Sequence, residues 1–273
     1  MNWAILTKTL REHRVTLAVV IFGILIFEVF LCRMILEGAR DLPLVKAWLE
    51  RPFLRTFLML ALGADISKEL SPSTFAVFGY AHPLVYTLTW ALVLTMGTAA
   101  ISAEVGRGTA DLLLTLPVSR TTVYVTTSLA WLCASTVVAC VPYAGLLLGE
   151  RVFSLGEPLR YAGLRAVALN FYALVLCVAS LTMLSSTLFS RRGWALGVIV
   201  AVIVLSDFIN LLAALWKPVE NIAFISLLHY YRPLAVLLKE QPPPTHLAVL
   251  LGVALTAWLA GLVVFTRRDV PAA

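Results

Sequence analysis

AVALNFYALVLCVASLTMLSSTLF, residues 166–189, runs for 24 positions without a charged side chain. About 20 apolar residues in a helix cross a hydrocarbon core, so this run reads as a membrane span. A barrel strand would instead show about ten residues of alternating polarity. Five more stretches read the same way: 15–32, 84–101, 123–148, 193–216 and 247–265. Composition agrees, with 60% hydrophobic residues, 13% charged residues and a mean hydropathy of +0.92 over 273 residues. A soluble core of this length cannot hide that much apolar surface, whereas lipid accepts it if backbone polar groups are bonded within helices. The expected fold is all-α: one polytopic domain over 1–273 with six transmembrane helices, an N-terminal interfacial helix and a short cytoplasmic helix between the second and third spans.

Sidedness follows from basic residues beside the spans. Connections 1–14, 102–122, 190–192 and 266–273 carry nine Lys or Arg against four acids. Connections 33–83, 149–165 and 217–246 carry twelve against nine in about twice the length. The first set also presses its charges against span ends, at Arg191, Arg192, Arg267 and Arg268. Both termini are therefore expected on the cytoplasmic side of the cell membrane. The net charge of +6 then marks topology and requires no nucleic-acid partner. The first span follows Lys8, Arg11 and Arg14 like a signal peptide. Its apolar run is too long, contains Glu28 and lacks a small-residue cleavage site, so it is expected to be retained.

Residues 43–63 are apolar but broken by Lys46, Glu50, Arg51, Pro52 and Arg55. Residues 221–238 are broken by His229, Arg232 and Pro233. Both are expected as amphipathic helices lying at or dipping into the outer face, with Trp48, Tyr230 and Tyr231 at headgroup level. Residues 3–14 mix Trp3, Ile5, Leu6 and Leu10 with basic side chains. They fit an interfacial helix on the inner face or a solvated basic leader.

The connection after the second span is unusually apolar: Glu104-Val-Gly-Arg-Gly108-Thr109-Ala-Asp-Leu112-Leu113-Leu114-Thr-Leu116-Pro117-Val-Ser119-Arg120. Thr109 suits an N-cap, Asp111 suits the positive end of a helix, and Pro117 discourages the residue before it from continuing one. A helix over 110–116 would be about 10 Å long, too short to span and too apolar to face water. It either skims the membrane or inserts into a groove on a cytoplasmic partner.

The pattern Glu104-x-x-x-Gly108-Thr109-x-x-x-Leu113-Leu114-x-x-Pro117-Val118-Ser119-Arg120, between the second and third of six spans, resembles the hallmark of ATP-binding cassette transporter permeases of the type-two exporter class. The basic N-terminal helix and the two outer segments follow the same outline. One departure is Thr127, where such permeases commonly carry Lys. The resemblance implies a coupling region seated in a separate ATPase subunit, with Gly108 and Thr109 setting the turn, Leu112, Leu113, Leu114 and Leu116 supplying apolar contact, and Glu104 and Arg120 framing the helix. It also implies a dimer with a second permease copy or a homologue, and an unidentified transported substrate. No Gly-x-x-x-x-Gly-Lys-Ser/Thr loop occurs in the chain. ATP and Mg²⁺ are thus expected in the partner, with no cofactor and no catalytic residue here.

Two acids lie within spans, Glu28 and Asp207, and Asn210 follows Asp207 at helical spacing. Ionisable groups there are costly and usually face protein or a water-filled cavity. They are candidates for a substrate pathway or for structural hydrogen bonds. The four cysteines form no Cys-x-x-Cys pair, and the four histidines are not at metal-ligand spacing, so no metal site is expected. Two other functions remain as alternatives: a membrane anchor or assembly factor using the same apolar connection without transport, and an intramembrane enzyme. The second lacks His-Glu-x-x-His, paired aspartates and Gly-x-Ser-x-Gly.

Overall fold

The computed structural model describes residues 2–99 and 118–267. Among these the chain forms twelve α-helices, three short 3-10 turns and no strand: α1 (Trp3–Glu12), α2 (Arg14–Arg40), α3 (Leu42–Leu49), α4 (Pro52–Leu62), α5 (Pro72–Ala81), α6 (Pro83–Ala99), α7 (Arg120–Val152), α8 (Tyr161–Leu188), α9 (Arg192–Leu215), α10 (Lys217–Glu220), α11 (Pro233–Lys239) and α12 (Pro244–Arg267). Six spans result: α2, α5 with α6, α7, α8, α9 and α12. The all-α polytopic expectation therefore holds. Five of the six spans are longer than their apolar runs, and α9 equals its run at 24 residues. In α2, for example, Arg33 pairs with Glu37 one turn on. The second span begins earlier than residue 84. The extended residue His82, followed by Pro83, interrupts it without ending its traverse.

Helix α8 is the central post, packing against α5, α6, α7, α9, α11 and α12. Its small residues Gly163, Ala166, Ala173, Ala179, Ser180 and Ser185 are all buried, which lets neighbouring backbones come close. Around it, α2 lies against α7 through Gly145-Leu-Leu-Leu-Gly149. A Cβ on Gly145 would strike Glu28, and one on Gly149 would strike Cys32. By contrast α9 is sparsely covered, with only Ala195, Ile199 and Ser206 buried.

The amphipathic leader forms a helix. Asn2 Oδ1 accepts from Ala4 N, and Ile5 and Leu6 are buried where α1 meets α7. Asn2 N donates to Thr126 Oγ1 at 3.3 Å, and Arg192 Nε donates to Thr98 Oγ1 at 3.1 Å. These bonds place α1, the end of α6 and the starts of α7 and α9 at one end of the bundle. Segment 43–63 folds as α3 and α4, separated at Glu50 and Arg51 ahead of Pro52.

Segment 221–238 departs from expectation. It is not one continuous helix but two 3-10 turns followed by α11, in which Pro233, Leu234, Val236 and Leu237 are buried. Tyr231 is also buried, its hydroxyl donating to Tyr80 O at 3.2 Å. The reason is long-range bonding. Asn170 Nδ2 donates to Tyr230 O at 3.3 Å, and Ser226 Oγ donates to Ser206 O at 2.8 Å, so the segment is drawn in against α8 and α9.

After α4, Asp65 accepts from Arg55 Nε at 3.2 Å and from Ser67 N and Oγ. These bonds hold its carboxyl down to about 2. The folded value lies below the ordinary one of about 3.9, so the bonds stabilise the fold fully above that range. The contribution fades as pH falls towards about 2. Asp65→Asn is expected to lower the thermal unfolding midpoint in detergent at pH 6, with a clearly smaller gap at pH 2.5. A gap of equal size at both pH values would show that the carboxylate contributes nothing through its charge.

Candidate functional site

The expected coupling residues Glu104, Gly108, Thr109, Leu112, Leu113, Leu114, Leu116 and Pro117 lie outside the described residues. Ser119 and Arg120 are described, and they belong to the third span. Ser119 is the N-cap of α7, its Oγ accepting from Thr122 N at 3.2 Å, and Arg120 is the first residue of that helix. The span thus starts three residues before the apolar run because Ser119 satisfies one of the amides left open at a helix start.

The three candidate pathway residues separate. Glu28 has no exposed surface, lines no described cavity and packs against Gly79 and Gly145. Neither carboxylate oxygen has a hydrogen-bond partner among the described residues. Its place is a helix crossing, between α2 and the glycines of α5 and α7. Asp207 and Asn210 stay together on α9 and line a cleft towards α4.

That cleft has two adjoining lobes. One, of about 420 Å³, holds Asp207 among Phe57, Tyr86, Trp90 and Tyr231. The other, of about 610 Å³, is bordered by Met59, Gly63, Lys217, Glu220, His229 and Arg232. Asn210, Leu60, Leu228 and Tyr231 border both. Gly63 closes α4 in the left-handed region at φ 74° and lies directly against Arg232, so any Cβ there would overlap that residue. The turn after α9 is held beside Asp207 by the Ser206–Ser226 bond and by Leu227 N donating to Ser206 Oγ at 3.4 Å. Burial, Arg232 and His246 push the His229 imidazole below its usual range. Lys217 and Arg232 therefore supply the positive charge of the second lobe.

Asp207 and Asn210 make no hydrogen bond or ion pair among the described residues. Helix α9 continues eight residues beyond Asp207, about 12 Å, before it ends at Leu215, and Lys217 opens α10 beyond that end. The first lobe thus offers a carboxylate and an amide in an aromatic setting, an arrangement suited to binding. No group of three or more His, Cys, Asp or Glu capable of holding a metal occurs among the described residues. A separate groove of about 590 Å³ between α7, α8 and α12 contains no charged side chain, and its Trp258 Nε1 is already bonded to Ser128 Oγ at 2.9 Å.

The Asp207 and Asn210 spacing is legible in sequence. The aromatic walls are not, since Phe57, Tyr86, Trp90 and Tyr231 come from elements far apart in the chain. Compared with protein-family models, with curated proteins and with solved structures, the chain matches none.

Proposed function

We propose that this chain is the membrane-spanning permease subunit of an ATP-driven exporter whose ATPase is a separate polypeptide. The observation that carries the reading is the block Glu104 to Arg120 between α6 and α7, two helices of consecutive spans. Four leucines within five positions of such a connection match a docking element better than a solvated loop. The unpaired Asp207 and Asn210 in a cleft at the bundle flank add support, since polar groups inside a membrane usually serve binding or transport.

In this reading the ATPase binds ATP and Mg²⁺ and closes against the 104–120 connection, and the motion reaches the cleft through α6, which contributes Tyr86 and Trp90 to its wall. The sparsely covered face of α9, with Trp194, Val198, Leu205 and Phe208 exposed, faces lipid or a second permease copy. The protein resides in the cytoplasmic membrane, with the end that carries α1 towards the cytoplasm.

The test is capture of the ATPase. Replacing Leu113 and Leu114 together by Asp is expected to abolish co-purification of a phosphate-loop ATPase with the tagged chain. Membrane insertion should be unchanged, because both positions lie outside the six long apolar runs of the sequence. Capture that survives the double replacement overturns docking through these leucines.

A further inference from the structure

The first lobe of the cleft has a particular chemistry. Asp207 carries an acidic side chain with no hydrogen-bond or ion-pair partner among the described residues, Asn210 adds one amide beside it, and Phe57, Tyr86, Trp90 and Tyr231 form the walls. Tyr86 and Trp90 stack with centroids 6.0 Å apart, and Tyr86 meets Tyr231 edge-on at 6.3 Å. Aromatic faces are negative, so a carboxylate among rings favours a cation that is itself weakly hydrated. A metal ion fits poorly, because hard cations require six or more oxygen ligands and the lobe offers a carboxylate and an amide. The basic residues Lys217 and Arg232 border only the second lobe, so neither occupies the Asp207 end.

We infer that the Asp207 lobe binds a lipophilic monocation, an ammonium or phosphonium type of charge carried on an apolar body. This deepens the permease reading and rests on it, taking the cleft as the place where the transported molecule is held. The apolar body lies against the aromatic walls, and the charge pairs with Asp207 while Asn210 accepts or donates as the headgroup requires. The volume of about 420 Å³ admits a molecule of drug-like size.

Tetraphenylphosphonium and tetraphenylborate share one shape and differ in the sign of charge. Equilibrium dialysis of each against the full chain in phosphatidylcholine nanodiscs, corrected with empty nanodiscs, tests the inference. Saturable binding is expected for the cation and not for the anion. Asp207→Asn should weaken cation binding at least tenfold, Asp207→Glu should retain it, and Trp90→Ala should weaken it several-fold. Asp65→Asn, outside the cleft, should leave it unchanged. Absence of saturable cation binding, equal binding of the two probes, or full affinity in Asp207→Asn each overturns the assignment. No ATPase is present in this assay, so its result is independent of ATPase capture through Leu113 and Leu114.

Discussion

Gly149→Leu is expected to destabilise the fold by about 3 kcal/mol or more, enough to keep most of the protein from accumulating in its folded form. The cause lies where α2 crosses α7. A Cβ built on Gly149 would sit 2.8 Å from Cys32 Cβ and 3.3 Å from Val29 Cα, and the rest of a leucine has nowhere to go. Membrane helices gain little from hydrophobicity when they associate, because lipid is as apolar as the partner helix. Close approach of backbones through small residues supplies the attraction instead. Pushing the helices apart forfeits those dispersion contacts and the weak bond from Cys32 Sγ to Leu146 O. The comparison is Gly252→Leu on α12, where an added Cβ meets nothing within 4 Å. That variant should resemble wild type in thermal unfolding and in the monodisperse fraction after detergent extraction. Equal behaviour of the two variants would falsify the close-packed crossing.

The second large effect has the opposite sign. Glu28→Met should stabilise the folded chain by about 1–3 kcal/mol, the cost of burying a polar group without a hydrogen bond. Glu28 has no exposed surface, its two oxygens lack hydrogen-bond partners among the described residues, and Gly79 and Gly145 close over it. Methionine has nearly the same length and flexibility and fills the space without a polar tip. The measurement is the thermal unfolding midpoint in detergent, which should rise by several degrees. A fall in the midpoint would mean that the acid is bonded in the folded protein and contributes to stability. If stability rises while transport is lost, the acid serves the transport cycle at a cost to the fold.

Much of the fold was legible because about 20 apolar residues admit few solutions in a bilayer. Helices α8, α9 and α12 follow their apolar runs to within a few residues. The turn segment after α9 was not legible. Tyr230 and Tyr231 have the composition of headgroup anchors, and only the bonds from Asn170, Ser206 and Tyr80, contributed by other helices, draw that segment inward. The small-residue pair Gly145 and Gly149 is visible in the sequence as a close-packing signal, but its partner helix is not. For the candidate site, the polar pair on α9 could be read from spacing, whereas the rings around it come from α4, α6 and the turn before α11. Glu28 and Asp207 look equivalent in sequence, each an acid within a span. Packing separates them, since α2 turns Glu28 into a helix crossing and α9 turns Asp207 towards an open cleft.

The bond between Asn2 and Thr126 joins residues 124 positions apart. A ribosome adding roughly 5–20 residues per second needs roughly 6–25 s to cover that interval. Helix α1 is therefore made long before its seat on α7 exists. During that time Ile5 and Leu6, buried in the finished molecule, have only the lipid surface to cover them. Helix α1 thus becomes a structural clasp only once the third span has been made. Its docking reports that half of the bundle is in place.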